Sequence, residues 1–120
     1  MPYLFMWTPT PNGVSSKPPT PELMADLGAY FHDVGAATVI AGGLRPLAEG
    51  ARVAVDAGEV VVTDGPFTEA KEVIAGFSIV DVDSKEEAVQ WAQRFVQIHV
   101  NHGWEGTCEV RPMHVSPPGG

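Results

Sequence analysis

The residues of this chain with the most obvious capacity for chemistry lie together in one run, Asp64-Gly65-Pro66-Phe67-Thr68-Glu69-Ala70-Lys71-Glu72. The run combines a turn with five ionisable or hydroxyl side chains and leads directly into an apolar stretch. Desolvation in a partly closed cleft raises the pKa of a carboxyl group and makes it a usable general acid or base. Glu69 and Lys71 are two residues apart, so in an extended chain they share one face and can hold a polar ligand together.

The same run also has a purely structural interpretation, which the residue types alone leave open. Gly65 followed by Pro66 favours a turn, and the carboxylate of Asp64 can fix that turn by accepting backbone hydrogen bonds. Glu69 and Lys71 can form a weak ion pair at a solvated edge. Under this interpretation Asp64 is a turn residue and the run has no catalytic role.

Four segments resemble, in the same order, the pattern of the DGPF family, a branch of the YCII-related domains. They are Val62 to Glu72, the pair Gly76-Phe77, the stretch from Ser84 to Trp91, and Glu109-Val110-Arg111-Pro112. The resemblance covers most of the chain from Leu23 to Arg111. It implies a cleft lined by the run and by Arg111, whose planar guanidinium suits a carboxylate or another anion.

From this resemblance we expect a candidate site with two groups of residues. The expected catalytic residues are Asp64, Lys71 and His32. The expected substrate-binding residues are Phe67, Thr68, Glu69, Glu72 and Arg111. For Arg111 the structural alternative is a salt bridge to Glu69 or Glu72. We expect neither a cofactor nor a metal.

The histidines depart from the pattern of the family that the chain resembles. YCII-like proteins commonly carry a histidine near the start of the first helix, and here that position falls near Met24. His32 is on the same predicted helix about two turns later, so it is the candidate substitute, with a packed or surface role as the alternative. His99 and His102 have the spacing of a metal-ligand pair, but no further Cys/His pair completes a pattern, so we expect a solvated helix end there.

The elements that position these residues follow from apolar periodicity and from breakers. Strands are predicted at Tyr3–Trp7, 38–42, 73–82 and 108–115, a hairpin joins 52–55 to 59–63, and helices begin near Thr20 and Ser84. Thr20-Pro21-Glu22 is a helix start, Gly35 a helix end, and Ser84-Lys85-Glu86-Glu87 a capping box. The order predicts a single α+β domain over residues 1–120, a ferredoxin-like sandwich with an inserted β-hairpin. Residues 8–20 are predicted to be a flexible Pro-rich loop, with a functional flap as the alternative, and 116–120 a tail.

A sheet covered by helices on one face leaves its other face for a partner, so we expect a homodimer packed sheet to sheet. The resemblance to dimeric α+β barrels agrees with this expectation. The lone Cys108 excludes an internal disulfide and is expected to be a buried, unreactive thiol.

Composition narrows the classes of function. The 120 residues carry a net charge of -8 with seven scattered Lys and Arg residues, which argues against binding to nucleic acid or an anionic membrane. No apolar run approaches the roughly 20 residues of a membrane helix, and the first residues lack the basic region of a signal peptide. We therefore expect a cytoplasmic protein, and the resemblance indicates a bacterial one.

Three functions remain open from the sequence, and whether the chain is an enzyme is undecided among them. The first is a cofactor-independent enzyme that acts on a small molecule by acid/base chemistry in a cleft near Asp64. The second is a ligand-binding or regulatory module associated with an extracytoplasmic-function sigma factor, which rests on the resemblance. The third is a structural dimer in which the run only builds a turn.

Overall fold

The computed structural model describes residues 1–10, 19–65 and 73–114. Within these ranges the chain forms six strands and two α-helices, with short 3-10 turns at Gly35–Ala37 and Leu47–Glu49. In chain order the elements are β1 (Pro2–Pro9), α1 (Pro21–Val34), β2 (Thr38–Gly43), β3 (Ala51–Asp56), β4 (Glu59–Asp64), β5 (Gly76–Asp81), α2 (Lys85–Asn101) and β6 (Gly106–Pro112).

Four strands form one antiparallel sheet in the order β2-β5-β1-β6, and β3 and β4 form a separate two-stranded sheet. The two helices pack against each other, and α2 also packs against β6. This arrangement confirms the predicted ferredoxin-like α+β fold with its inserted hairpin. The hairpin turns at Ala57 and Gly58, both with positive φ (52° and 83°), as a tight two-residue turn requires.

Both helix starts have the predicted caps. The Thr20 hydroxyl accepts from the amide of Leu23 at 3.2 Å, and the Ser84 hydroxyl accepts from the amide of Glu87 at 3.1 Å. The Glu87 carboxylate reaches back to the amide of Asp83 at 3.3 Å, one residue before the cap. Gly35 ends α1 with a φ of 63°, which a residue without a Cβ adopts at little cost.

The core lies between the sheet and the two helices. Tyr3, Phe5 and Trp7 alternate along β1 and are all buried, so the three aromatic rings share the helix-facing side of the sheet. The buried cluster that includes Tyr3 and Phe5 is completed by Tyr30, Val34, Val80, Val82, Ala88 and Ala92. Burial of this aromatic and aliphatic surface is the main stabilising contribution to the fold.

Several strand boundaries differ from the prediction. β1 continues to Pro9, into the predicted loop, because Thr8 and Pro9 pair with Thr107 and Gly106 of β6. For the same reason β6 begins at Gly106. The two strands lie close together there, since a Cβ atom at position 106 would be 2.6 Å from the Thr8 carbonyl oxygen. At its far end β6 stops at Pro112, before the predicted limit.

β5 begins at Gly76 rather than at Val73. Ala75, just before it, donates its amide to the Trp7 carbonyl and accepts from the Leu44 amide, both at 2.8 Å. It thus links β1 to the segment after β2 outside the regular ladder.

Neither helix within residues 1–10, 19–65 and 73–114 is long and apolar enough to cross a membrane.

Candidate functional site

The run that starts at Asp64 is only partly within the described residues. Asp64 is the last residue of β4, where it pairs with Ala51 and is exposed to solvent. The predicted binding residues Phe67, Thr68, Glu69 and Glu72 and the predicted catalytic Lys71 lie outside the described residues. Their assignment to a site therefore stays a prediction.

The other two candidate residues occupy separate parts of the surface. His32 is exposed on α1. Arg111 is exposed on β6, where its Nη1 lies 3.2 Å from Oε1 of Glu109, a carboxylate that the sequence argument did not consider as its partner. Neither residue lines the cavity described next, and neither does Asp64.

A cavity of about 670 Å³ opens between the helix-facing side of the sheet and α1. The sheet, both helices and Trp104 supply its walls, and most of the lining side chains are apolar or aromatic. From the sheet and its flanks come Phe5, Trp7, Pro9, Ala41, Gly42, Gly43, Leu44, Ala75, Gly76, Phe77, Ser78 and Cys108; from the helical layer come Pro19, Leu23, Met24, Leu27, Gly28, Phe31, Phe95, His99 and Trp104. This volume and apolar character are typical of sites for small molecules.

His99 is the ionisable residue that α2 contributes to this cavity, and its side chain is held tightly. Its imidazole stacks on Trp7 with ring centroids 4.3 Å apart and an interplanar angle of 31°. Phe95, one turn earlier on α2, contacts the same imidazole at 4.6 Å between centroids. His99 is only 5% exposed, so these aromatic contacts fix the plane of the ring inside the protein.

Hydrogen bonding and burial define the charge of His99. Its Nδ1 lies 2.9 Å from the backbone carbonyl oxygen of Phe95, an atom that can only accept. Desolvation by burial lowers the pKa of His99 and is the largest effect; the hydrogen bond to the Phe95 carbonyl opposes it, and repulsion from His102 adds a smaller lowering. The imidazole is therefore neutral near pH 7, with its proton on Nδ1.

Two further polar side chains line the cavity, and both are uncharged. Burial raises the pKa of the Cys108 thiol to about 11, so the predicted unreactive thiol agrees with its environment. Ser78 on β5 is buried and contributes a hydroxyl. The described lining residues include no Asp, Glu, Lys or Arg.

Comparison of the sequence with known proteins identifies the family of the chain. The sequence model of the YCII-related domain family matches residues 1–112, which is nearly the whole chain. The chain belongs to the YCII-related family. An uncharacterised protein of Rhizobium meliloti (strain 1021) is 36% identical over 110 residues, which cover 87% of this chain and 83% of that relative. The family membership predicted from the four motif segments is thereby confirmed.

In this YCII-related domain, the residue near the expected histidine position is part of the cavity wall. Met24, near the place where the family resemblance leads us to expect a histidine, lines the cavity from α1. The histidine that the cavity does contain, His99, comes from α2 instead. His32, the candidate substitute on α1, is directed to the surface and does not line the cavity.

The two histidines weighed as a metal-ligand pair take different partners. His102 Nε2 lies 2.7 Å from the Asp26 carboxylate, whereas His99 uses Nδ1 on the Phe95 carbonyl. Across residues 1–10, 19–65 and 73–114, no group of three or more His, Cys, Asp or Glu side chains is arranged to hold a metal ion. The helix end predicted to be solvated therefore has one buried histidine and one in contact with a carboxylate.

Sequence reasoning missed the cavity and His99. A signal was present, because Trp91, Phe95 and His99 recur at intervals of four and so continue one face of α2 inward. Reading His99 together with His102 hid this pattern. Trp7 is predicted to lie in a strand, but its stacking partner His99 is 92 residues away in sequence, so spacing cannot reveal the contact.

Proposed function

We propose that this YCII-related domain binds a small, predominantly apolar molecule in the cavity between α1 and the sheet. The observation that carries this proposal is the size and lining of the cavity, about 670 Å³, with Ser78, Cys108 and His99 as polar side chains among otherwise mostly apolar described lining residues. A large apolar cavity with a few convergent polar groups is the usual form of a ligand site. The apolar walls would supply most of the affinity, and the polar side chains would orient the molecule.

Proton transfer on the bound molecule would use His99 in this proposal. A neutral imidazole with a free ring nitrogen can accept a proton near neutral pH, and His99 lines the cavity directly. Asp64 is exposed at the end of β4 and would need the residues that follow it to reach a bound molecule. Acid/base chemistry at Asp64 and a regulatory role beside a sigma factor remain predictions from the family resemblance.

The cavity can be closed by one substitution whose side chain has room. Gly28 lines the cavity from α1, and a Cβ placed there meets no described atom within 4 Å. A Gly28→Phe side chain is therefore expected to occupy the cavity or its mouth. Ala29→Phe is the matched control, because Ala29 is the next residue of the same helix, is exposed and does not line the cavity.

The test uses N-phenyl-1-naphthylamine, a neutral probe whose fluorescence rises in apolar surroundings. We expect saturable binding to the wild-type protein, and binding at least about tenfold weaker in Gly28→Phe, a loss of about 1.4 kcal/mol. Ala29→Phe should keep the wild-type affinity. No binding to the wild-type protein, or equal loss in the two variants, would contradict cavity binding.

We further propose that a second copy of the chain covers one face of the β3–β4 hairpin. The register places Val53 opposite Val62 and Val55 opposite Val60, so these four side chains share a face. They are 64%, 64%, 75% and 71% exposed, respectively. Contiguous apolar surface of this kind usually marks an interface, and an isolated two-stranded hairpin is only marginally stable in water. A second copy as the occupant agrees with the dimeric barrels that the chain resembles.

A further inference from the structure

We propose that the molecule bound in the cavity is uncharged and donates one hydrogen bond, from a hydroxyl or N–H group, to Nε2 of His99. This inference rests on the proposed cavity binding and adds the chemical class of the ligand and its orientation. It follows from the tautomer of His99, from the fixed plane of its ring, and from the absence of charged side chains among the described residues of the cavity wall.

The tautomer of His99 is set by its own helix. The carbonyl oxygen of Phe95 is an acceptor, so the ring nitrogen 2.9 Å away from it, Nδ1, must carry a hydrogen. In a neutral imidazole the other nitrogen then has a lone pair and no proton. Nε2 is consequently an acceptor, and it is matched by a donor on the ligand.

The direction of that acceptor is also fixed. Trp7 stacks on one part of the imidazole and Phe95 contacts it at a steeper angle, while the Nδ1 hydrogen bond prevents rotation about the ring's own axis. Within the described residues no protein group forms a hydrogen bond to Nε2. Nε2 is not among the fully buried polar atoms that lack a partner there, which are the Tyr30 and Thr38 hydroxyls, so it keeps some exposure in a residue that lines the cavity. A single lone pair with a fixed direction is thus available to a ligand.

The described wall of the cavity disfavours a charged ligand. Its described residues contain no side chain that is charged near pH 7, because the Cys108 thiol and the His99 imidazole are both neutral there. An ionised ligand would lose its hydration without gaining an ion pair from any of these described residues, which is unfavourable. Ser78 can donate or accept, so its hydroxyl tolerates several ligand groups and leaves His99 as the residue that demands a donor.

Three naphthalene derivatives of similar size separate these requirements. The probes are 2-naphthol, which is neutral and donates; 2-methoxynaphthalene, which is neutral and cannot donate; and 2-naphthoate, which is charged. Titration of the wild-type protein at pH 7.5 should give an affinity for 2-naphthol about tenfold above that for the ether, the effect of one net hydrogen bond. The affinity for 2-naphthoate should be at least about 100-fold below that for 2-naphthol.

His99→Phe tests whether His99 is the acceptor, since phenylalanine keeps an aromatic ring between Trp7 and Phe95 but has no nitrogen. The variant should bind 2-methoxynaphthalene as the wild-type protein does and bind 2-naphthol no better than the ether. Long-range ¹H–¹⁵N spectra of the wild-type protein give an independent readout that does not depend on this variant folding. They should show the proton on Nδ1 and a shift of Nε2 alone when 2-naphthol is added.

Each outcome decides between the two proposals. Equal wild-type affinity for 2-naphthol and its ether, a preference that persists in His99→Phe, or a proton on Nε2 would overturn the assignment of His99 while leaving cavity binding intact. Binding of none of the three probes, together with no binding of N-phenyl-1-naphthylamine, would overturn cavity binding itself. Preferential binding of 2-naphthoate would overturn the requirement for a neutral ligand.

Discussion

Gly65 and Leu47 approach each other so closely that a Cβ atom on Gly65 would lie 1.7 Å from the Leu47 carbonyl oxygen. The Gly65 amide also donates to the Gly50 carbonyl at 2.8 Å. Glycine at position 65 is therefore required by contact with the 3-10 turn at Leu47–Glu49, which precedes β3. This contact gives part of the motif a structural role that needs no chemistry.

Gly65→Ala should lower the free energy of unfolding by about 1–3 kcal/mol, because the added methyl group meets backbone that cannot move aside. Gly43→Ala is the matched control, since the nearest atom to a Cβ there is the Ala75 carbonyl oxygen at 3.8 Å. Urea denaturation of the two variants checks the prediction. If both variants unfold at the same urea concentration, the close approach of Gly65 to Leu47 does not exist in solution.

Asp64→Asn should leave the affinity for N-phenyl-1-naphthylamine within about twofold of wild type, because Asp64 is exposed and does not line the cavity. Its free energy of unfolding should change by less than about 0.5 kcal/mol, as for other exposed positions. Fluorescence titration and urea denaturation measure the two quantities. A large loss of probe binding with unchanged stability would show that the Asp64 run reaches the cavity, as the resemblance implies.

Much of the fold could be predicted because its determinants are local. Thr20 and Ser84 each cap a helix by accepting a hydrogen bond from the amide three residues later. Gly35 ends a helix with a positive φ, and Gly58, also with a positive φ, lies in the hairpin turn. The short aromatic and apolar run Tyr3–Trp7 predicts a buried strand, and it forms most of β1. The strand ends could not be predicted in the same way, because Pro9 and Gly106 pair across the chain and local composition favours a loop at Pro9.

The candidate site was harder to predict for the same physical reason. The run after Asp64 is conspicuous because its polar residues are adjacent in sequence, whereas the cavity gathers residues from β1, β2, β5, β6 and both helices. His99 meets Trp7 only after the sheet and α2 have packed. Periodicity can indicate that His99 faces inward, but it cannot show that an open space lies there.

Tyr30→Phe tests a buried hydroxyl that has no hydrogen-bond partner among the described residues. Tyr30 is 1% exposed, and burial raises the pKa of its phenol, so the group stays neutral. The ring contacts with Phe31, Trp91 and Phe95 survive the substitution. The variant should be as stable as wild type or more stable by up to about 1 kcal/mol in urea denaturation. A loss above 1 kcal/mol would show that the hydroxyl has a bonding partner.

Stability should fall on acidification through His99. Its pKa is lowered in the folded state, so below about pH 6.5 the unfolded chain binds a proton that the folded protein resists. The free energy of unfolding should therefore decrease as the pH falls from 7.5 to 5.5, with a contribution of at most about 1.4 kcal/mol per pH unit. Cys108 across the cavity stays a neutral thiol in this range, and His102 is the nearby titratable group on the same helix end.

Urea denaturation of wild type and His99→Phe across this pH range isolates the effect of His99, since all other groups are common to both proteins. The wild-type curve should be the steeper one. Asp33 affects stability in a different pH range. Its contact with Arg94 lowers the pKa of the Asp33 carboxyl, so the stabilisation from this contact is lost only below about pH 4. Parallel curves for the two proteins between pH 7.5 and 5.5 would mean that His99 is not desolvated.

The valine face of the hairpin predicts a dimer that one charge should dissociate. Val55→Asp places a carboxylate among Val53, Val60 and Val62, where a second copy would otherwise bury apolar side chains at about 1.5 kcal/mol or more each. Ala54→Asp is the matched control, because Ala54 is the preceding residue of β3 and faces the other side of the hairpin with Val61. Light scattering during size-exclusion chromatography should give twice the 12.8 kDa chain mass for wild type and Ala54→Asp, and the single mass for Val55→Asp. A monomeric wild type, or equal dissociation of the two variants, would exclude this face as the interface between copies.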